Sequence, residues 1–283
     1  MVIDHIFIPL TFLVLCIAAY IDIRTREVPD WLSYAFIMAA IGVRAIFSVE
    51  QGIMILLSGI LGLLICFTIA CLLYYTSQWG GGDSKLLMGM GAAIGVTIPL
   101  QASSLNLLWF FIGLLFLGAI YGLIWMSIIA TQNRKVFREQ WTLTITHSHK
   151  SNFIVLGITA ALILLAIAHP LFWPIVPFPM IVLYLFLFVN TVERSCFYIY
   201  KLPKNLVEGD WLAENVTISG KTVLSPKTLE KEDIMMLKSF EVEKKVKKVL
   251  IKEGIPFTPG FVLAYAALLA GPWWIERVAG FIF

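Results

Sequence analysis

The sequence predicts an all-α polytopic membrane protein, with about eight transmembrane helices and a small α+β cytoplasmic insertion before the last of them. Three observations predict it. Of the 283 residues, 59% are hydrophobic and only 14% charged, well beyond the roughly 45 to 50% apolar content of soluble domains. The apolar residues fall in long unbroken runs, and a hydrocarbon core ~30 Å thick takes about 20 helical residues to cross. A single stretch, 201–254, is polar along its length. Unbroken runs exclude the alternating pattern of a membrane barrel, so the backbone must satisfy its own polar groups within helices.

In chain order the predicted spans are 6–23, 31–47, 52–75, 83–100, 105–130, 153–168, 177–191 and 257–275. The first run follows a start without Lys or Arg, and no small-x-small cleavage site follows it, so it is expected to be retained and not removed as a signal peptide. The fourth run is short in apolar residues. Its apolar part, 86–100, carries Gly89, Gly91 and Gly95, which lower helix propensity yet let a neighbouring helix approach closely.

Basic residues in loops favour the cytoplasmic side. With the N-terminus outside, the inner loops hold 19 of the 21 Lys and Arg residues, and only Arg44 and Arg277 fall towards the outside. Three of those inner loops carry the argument: Arg24 and Arg26, then Lys85, then Arg134, Lys135, Arg138 and Lys150.

The organisation expected is a membrane core over 1–200, a soluble cytoplasmic module over 201–254 and a final membrane helix within 255–283. Within the module, 214–218 and 221–224 flank Ser219-Gly220 and suit a short hairpin. Ser225-Pro226 reads as a helix start, with the helix running to about Lys238. The stretch 241–252 fits either a helix or a strand through Val249 to Ile251. Eleven lysines could meet anionic headgroups, but nine acidic residues in the same module balance them and favour a solvated face.

Cys16, Cys66, Cys71 and Cys196 form no C-x-x-C pair, so neither a zinc module nor a disulfide framework is indicated and buried free thiols are expected. His147 and His149 flank Ser148 in a basic loop without a third ligand nearby. No cofactor motif appears, no metal site is expected, and a net charge of +3 gives no case for nucleic acid. Nothing in the sequence fixes an oligomeric state.

Two acids stand out. Asp83 closes Gly80-Gly81-Gly82-Asp83-Ser84-Lys85 at the start of a span, where a carboxylate is a natural helix N-cap. Asp22 lies in the last turn of the first span, where an acid opposes the helix dipole. Arg24 and Arg26 offer it an ordinary interfacial ion pair; otherwise an ionisable group at the edge of a span is a functional candidate. Counting crossings puts both acids on the same, cytoplasmic side of the bilayer.

These segments resemble the G-x-G-D membrane aspartyl proteases, and specifically the type IV prepilin peptidase and archaeal preflagellin peptidase family. The run from Asp22 to Asp30, with its Val28-Pro29 pair, is similar to the family's first-aspartate segment. Gly80 to Leu87 matches the second-aspartate motif G-x-G-D-x-K-L at each fixed position. The resemblance covers about residues 12–125. Gly254-Ile255-Pro256-Phe257-Thr258-Pro259 resembles the I-P-F-x-P segment opening the last helix of archaeal members. Asp30 stands where the family often has Asn. The paired C-x-x-C motifs of bacterial members are missing, which favours the archaeal type and puts their added N-methylation in doubt.

The resemblance implies a membrane aspartic endopeptidase without a cofactor, with Asp22 and Asp83 as the catalytic pair. Two neighbouring carboxylates cannot both ionise easily, so the pair keeps one proton between them. Gly80, Gly81 and Gly82 would admit an extended substrate backbone. Pro256, Phe257 and Pro259 would shape the site beside it and leave a backbone edge free to pair. Lys85 would tune the pair or bind a headgroup. The implied partners are prepilin-like or preflagellin-like proteins, whose short basic leader stays at the inner membrane face, together with the lipid bilayer. Two alternatives stand beside this reading. One is a presenilin-like or signal-peptide-peptidase-like protease, though here Ile21 separates Tyr20 from Asp22. The other is a transporter using interfacial acids, for which no internal repeat is found.

Overall fold

The computed structural model describes residues 2–76, 78–99, 102–218 and 220–271. Among these, the helices are α1 (Val2–Thr25), α2 (Asp30–Gln51), α3 (Met54–Tyr75), α4 (Gly81–Ile94), α5 (Asn106–Gln132), α6 (Arg134–His147), α7 (His149–Ala168), α8 (Phe178–Cys196), α9 (Lys231–Val242) and α10 (Thr258–Leu269). Each predicted span therefore has its helix. Six stretches are long and apolar enough to cross a membrane: His5–Thr25, Asp30–Gln51, Met54–Tyr75, Ser103–Gln132, His149–Ala168 and Pro170–Cys196. The fold is that of a polytopic membrane protein. The two shorter members are α4 and α10; the predicted end of the last span, 272–275, lies outside the described residues.

The chain packs into two compact units, Met1–Gly122 with Ile255–Phe283, and Leu123–Gly254. In the first, α4 is packed against both α2 and α3. Its Leu86, Leu87 and Met90 are fully buried, in one cluster with Phe36 and Cys66. Helices in lipid gain little from apolar burial as such and associate through close van der Waals packing. Small residues supply it here: a Cβ on Gly62 would stand 2.2 Å from the carbonyl oxygen of Gly91, so α3 and α4 touch backbone to backbone. Leu13, Met38, Val49 and Phe116 point outwards, as side chains facing lipid do.

Helix α4 stops earlier than the predicted span 83–100. It has 14 residues, about 21 Å at ~1.5 Å per residue, against a core of ~30 Å. The reason is not local hydrophobicity. Gly95 takes φ +71° and leaves the helix. Arg44 of α2, buried, then gathers the freed carbonyls: Nε donates to Ala92 O at 2.8 Å, and Nη2 to Ala93 O at 2.7 Å and Ile94 O at 3.0 Å. A guanidinium at a helix C-terminus satisfies orphan acceptors and complements the dipole.

In the second unit, the basic connector forms α6, whose Phe137 packs on Phe188 of α8 with ring centroids 5.8 Å apart. Strands β1 (Tyr198–Lys201), β2 (Trp211–Leu212), β3 (Val216–Ile218), β4 (Lys221–Leu224) and β5 (Val249–Lys252) follow. β5 lies between β1 and β2, antiparallel to both, with Ile199 and Leu212 each opposite Ile251. Leu212, Leu229, Leu237 and Ile251 form a second core under α9. Residues 123–200 fall in the same compact unit as the polar module, and β1 starts two residues after α8 ends.

Local expectations for the module fare unevenly. The hairpin forms as β3 and β4; Ser219 lies outside the described residues. Within the stretch 241–252, α9 ends at Val242 and strand β5 takes Val249–Lys252, where Val249 and Ile251 alternate inward. The helix expected from Ser225-Pro226 begins instead at Lys231, because Glu230 and Asp233 form a reciprocal capping box there. Many of the module's lysines face acids, as in Lys201 with Asp210 at 3.1 Å, Lys227 with Asp233 at 2.8 Å and Lys252 with Glu193 at 2.5 Å. The expectation of buried thiols fits Cys66 but not Cys16, which is exposed on the outward face of α1.

Candidate active site

Asp22 lies in the last turn of α1 and is 5% exposed. The chain then turns sharply: Arg26 adopts φ +63°, with its N–H donating to Asp22 O at 2.8 Å. Val28 follows, buried, and Pro29 delivers the chain into α2. Val28 seats on Gly82, where an added Cβ would meet the valine Cβ at 3.0 Å. The first-aspartate segment thus touches the second-aspartate motif one residue from Asp83.

The start of α4 differs from the capping geometry suggested by its sequence. Gly80 is the N-cap, and Asp83 is the third helical residue; no side chain caps the helix. The half-buried Asp83 carboxylate is free of that duty and lies within electrostatic reach of Asp22. Arg24 turns its guanidinium over the Tyr20 ring, 5.5 Å from the centroid, and Arg26 lies within electrostatic reach of Asp22.

What holds Asp22 is the last helix. The backbone N–H of Thr258, the first residue of α10, donates to Asp22 Oδ2 at 2.9 Å across 236 residues of chain. The hydroxyl of Thr258 lies against both carboxylates. Pro256 is buried just upstream and Pro259 is half-buried in the first turn. The ring of Phe257 occupies the space left by Gly118, whose Cβ would otherwise stand 2.7 Å from it. Trp79, immediately before the glycines, packs on Phe257 and Phe261 with centroids at 5.4 and 5.8 Å. These aromatic contacts fix the start of α10 against the entry to α4. Tyr121 of α5 also lies near Asp22 and Arg26.

Of the residues singled out from sequence, Asp22, Asp83, Gly82, Pro256, Phe257 and Pro259 therefore belong to one neighbourhood. Gly80 is exposed and Gly81 half-buried beside Tyr74, so the loop edge stays open. Lys85 turns elsewhere: its Nζ pairs with Asp30 at 2.5 Å and lies over the Tyr34 ring. Thr258 and Trp79 were not anticipated. Between two prolines, Thr258 reads as a helix-start residue, and its position next to Phe257 is the only local hint. Among the described residues, no cluster of three His, Cys, Asp or Glu side chains suits a metal ion.

Two acids from α1 and α4, within electrostatic reach of each other, thus lie at the head of α10, where a backbone N–H holds one of them. The profile of the type IV leader peptidase family matches residues 10–130. A preflagellin peptidase of Methanococcus voltae is 38% identical over 82 residues, and one of Methanocaldococcus jannaschii 28% identical over 81; each match covers 28% of this chain and 34% of the relative. The chain thus matches about a third of the length of these curated relatives. No solved structure is significantly similar to it. The stretch that matches the type IV leader peptidase family, 10–130, is less than half of the chain and contains both aspartates.

Proposed function

We propose that the protein is a membrane aspartyl endopeptidase that removes the short leader of prepilin-like or preflagellin-like proteins at the cytoplasmic face of the membrane. The observation that carries this reading is the convergence of Asp22 from α1 and Asp83 from α4 on Thr258 at the head of α10. The family match and the preflagellin peptidase names of the relatives support leader cleavage.

The chemistry follows from two carboxyl groups sharing one proton. The ionised member takes a proton from water as the water oxygen attacks the scissile carbonyl carbon. The protonated member gives its proton to the carbonyl oxygen. Collapse of the resulting diol breaks the C–N bond: the departing amine takes the proton of the protonated member, and one diol hydroxyl gives its proton to the ionised member, so the pair again holds one proton. A helical substrate hides its peptide bonds, so it must unwind locally. The open edge at Gly80 and Gly81 gives an extended segment room to approach. Loop charges support an outside N-terminus, with both aspartates and the 201–254 module on the cytoplasmic side.

The direct test is incubation of the purified protein with a prepilin-like peptide, with any cut located by mass spectrometry. A single cut at the junction of basic leader and apolar helix is expected. Unchanged peptide, or cuts within the apolar helix alone, would overturn the assignment.

A further inference from the structure

We infer that Thr258 is a positioning residue for the aspartate pair: its N–H fixes Asp22, and its hydroxyl serves as the hydrogen-bond donor that holds the two carboxylates in register. The inference rests on the aspartyl reading above.

Three observations meet at this residue. Its backbone N–H donates to Asp22 Oδ2 at 2.9 Å. Its side chain lies against both Asp22 and Asp83. It is 0% exposed, and its hydroxyl makes no hydrogen bond of good geometry to any described residue. A buried hydroxyl left unpartnered is costly, and such groups call for an explanation. Here the acceptors that face it are two carboxylates, so a small rotation or a shared water gives the hydroxyl its partner. Asp22 and Asp83 sit on different helices, and neither helix alone sets the angle between their carboxyl planes. Thr258 touches both from a third helix. That helix is held by Phe257 on Gly118 and by Trp79 on Phe257 and Phe261, so its first residue is a fixed reference for the other two.

Thr258→Val keeps the shape and the N–H and removes only the hydroxyl; Thr258→Ser keeps the hydroxyl and loses a methyl. With the purified full chain and a prepilin-like peptide, Thr258→Val is expected to lower kcat by about 10- to 100-fold with KM within about twofold, the loss expected for a hydrogen bond to a charged group. Thr258→Ser should recover kcat to within about threefold of the parent. A Val variant that keeps the parental kcat, or a Ser variant as slow as Val, overturns the inference. If Thr258→Val does not insert stably, Thr258→Ser and Thr258→Ala carry the same contrast, and equal rates for those two overturn it. Asp22→Asn separates the two levels of argument. If it still cleaves, the aspartyl reading falls and this inference with it. If it is inactive while Thr258→Val cleaves at the parental rate, only the role of Thr258 is lost.

Discussion

Val28 lies so close to Gly82 that a Cβ added to the glycine would stand 3.0 Å from the Cβ of the valine and 3.3 Å from its backbone nitrogen. The contact joins the loop after Asp22 to the turn that presents Asp83. It gives each motif a mechanical meaning: the Val-Pro pair docks the end of α1, and the glycine before the second aspartate is its seat.

Enlarging that seat should therefore separate the acids. Gly82→Ala is expected to slow cleavage by about tenfold and Gly82→Val by about 100-fold or more, since displacement of about 1 Å at a reacting pair costs rate on that scale. Adding Val28→Ala to Gly82→Ala should restore much of the loss by vacating the space. Steady-state cleavage rates for the single and double variants check this; strictly additive losses would show that the contact is not what positions the pair.

The pair formed by Lys85 and Asp30 should matter little to stability. The side chains are 27% and 63% exposed, and ion pairs so open to solvent contribute about 1 kcal/mol or less. Asp30→Asn is expected to leave the melting temperature in detergent nearly unchanged and to reduce cleavage less than threefold. Exchange of the two residues, Asp30→Lys with Lys85→Asp, should outperform either single reversal. A severe loss in Asp30→Asn would place Lys85 in the chemistry.

Arg44 predicts the opposite. Its guanidinium donates to the carbonyls of Ala92, Ala93, Ile94 and Ile55 and to Ser58 Oγ in a buried site. Arg44→Met leaves several buried acceptors without donors, and a loss of roughly 3 kcal/mol is expected from stranding buried polar groups. Thermal denaturation in detergent should show it, with KM of the surviving folded fraction unchanged.

Arg44 also marks where the sequence stops being legible. Membrane spans were readable because composition and run length decide them without reference to partners. The length of α4 was not, because Gly95 and an arginine 50 residues away terminate it together. Asp22 and Asp83 could be paired from topology alone, since counting crossings needs no side-chain geometry. Thr258 could not be found that way: its hydrogen bond spans 236 residues, and nothing in Pro-Phe-Thr-Pro distinguishes a site residue from a helix start. Lys85 was left between two roles for the same reason, its partner being 55 positions away in sequence. In the module, the helix expected from Ser225 starts at Lys231, because Asp233 reaches back to the Glu230 backbone N–H there.

Orientation yields a further prediction. Gln78, exposed just before the glycines, and Lys221, exposed in β4, should both react with a membrane-impermeant thiol reagent only from the cytoplasmic side when replaced by Cys in a background without native cysteines. Ser84 is unsuitable for this purpose because it is buried. Labelling of the two positions from opposite sides would break the shared-face argument.

The aspartates themselves give the most decisive test. Asp22→Asn keeps an oxygen to accept from the N–H of Thr258, and Asp83→Asn keeps the size of a residue that caps nothing. Neither change should disturb packing, and each removes a desolvated acid, so melting temperatures in detergent should hold or rise. Each variant should nonetheless lose about 10³-fold or more in cleavage, because an amide neither takes nor gives the proton the reaction moves. The double variant should be no slower than either single one, as expected for groups that act as a unit. If Asp83 were only a helix cap, Asn would serve as well and activity would survive. If Asp22 were only half of an ion pair with Arg26, its replacement would cost stability and spare the rate. Wild-type turnover in one variant would therefore identify which of the two acids is structural, and turnover in both would end the aspartyl mechanism.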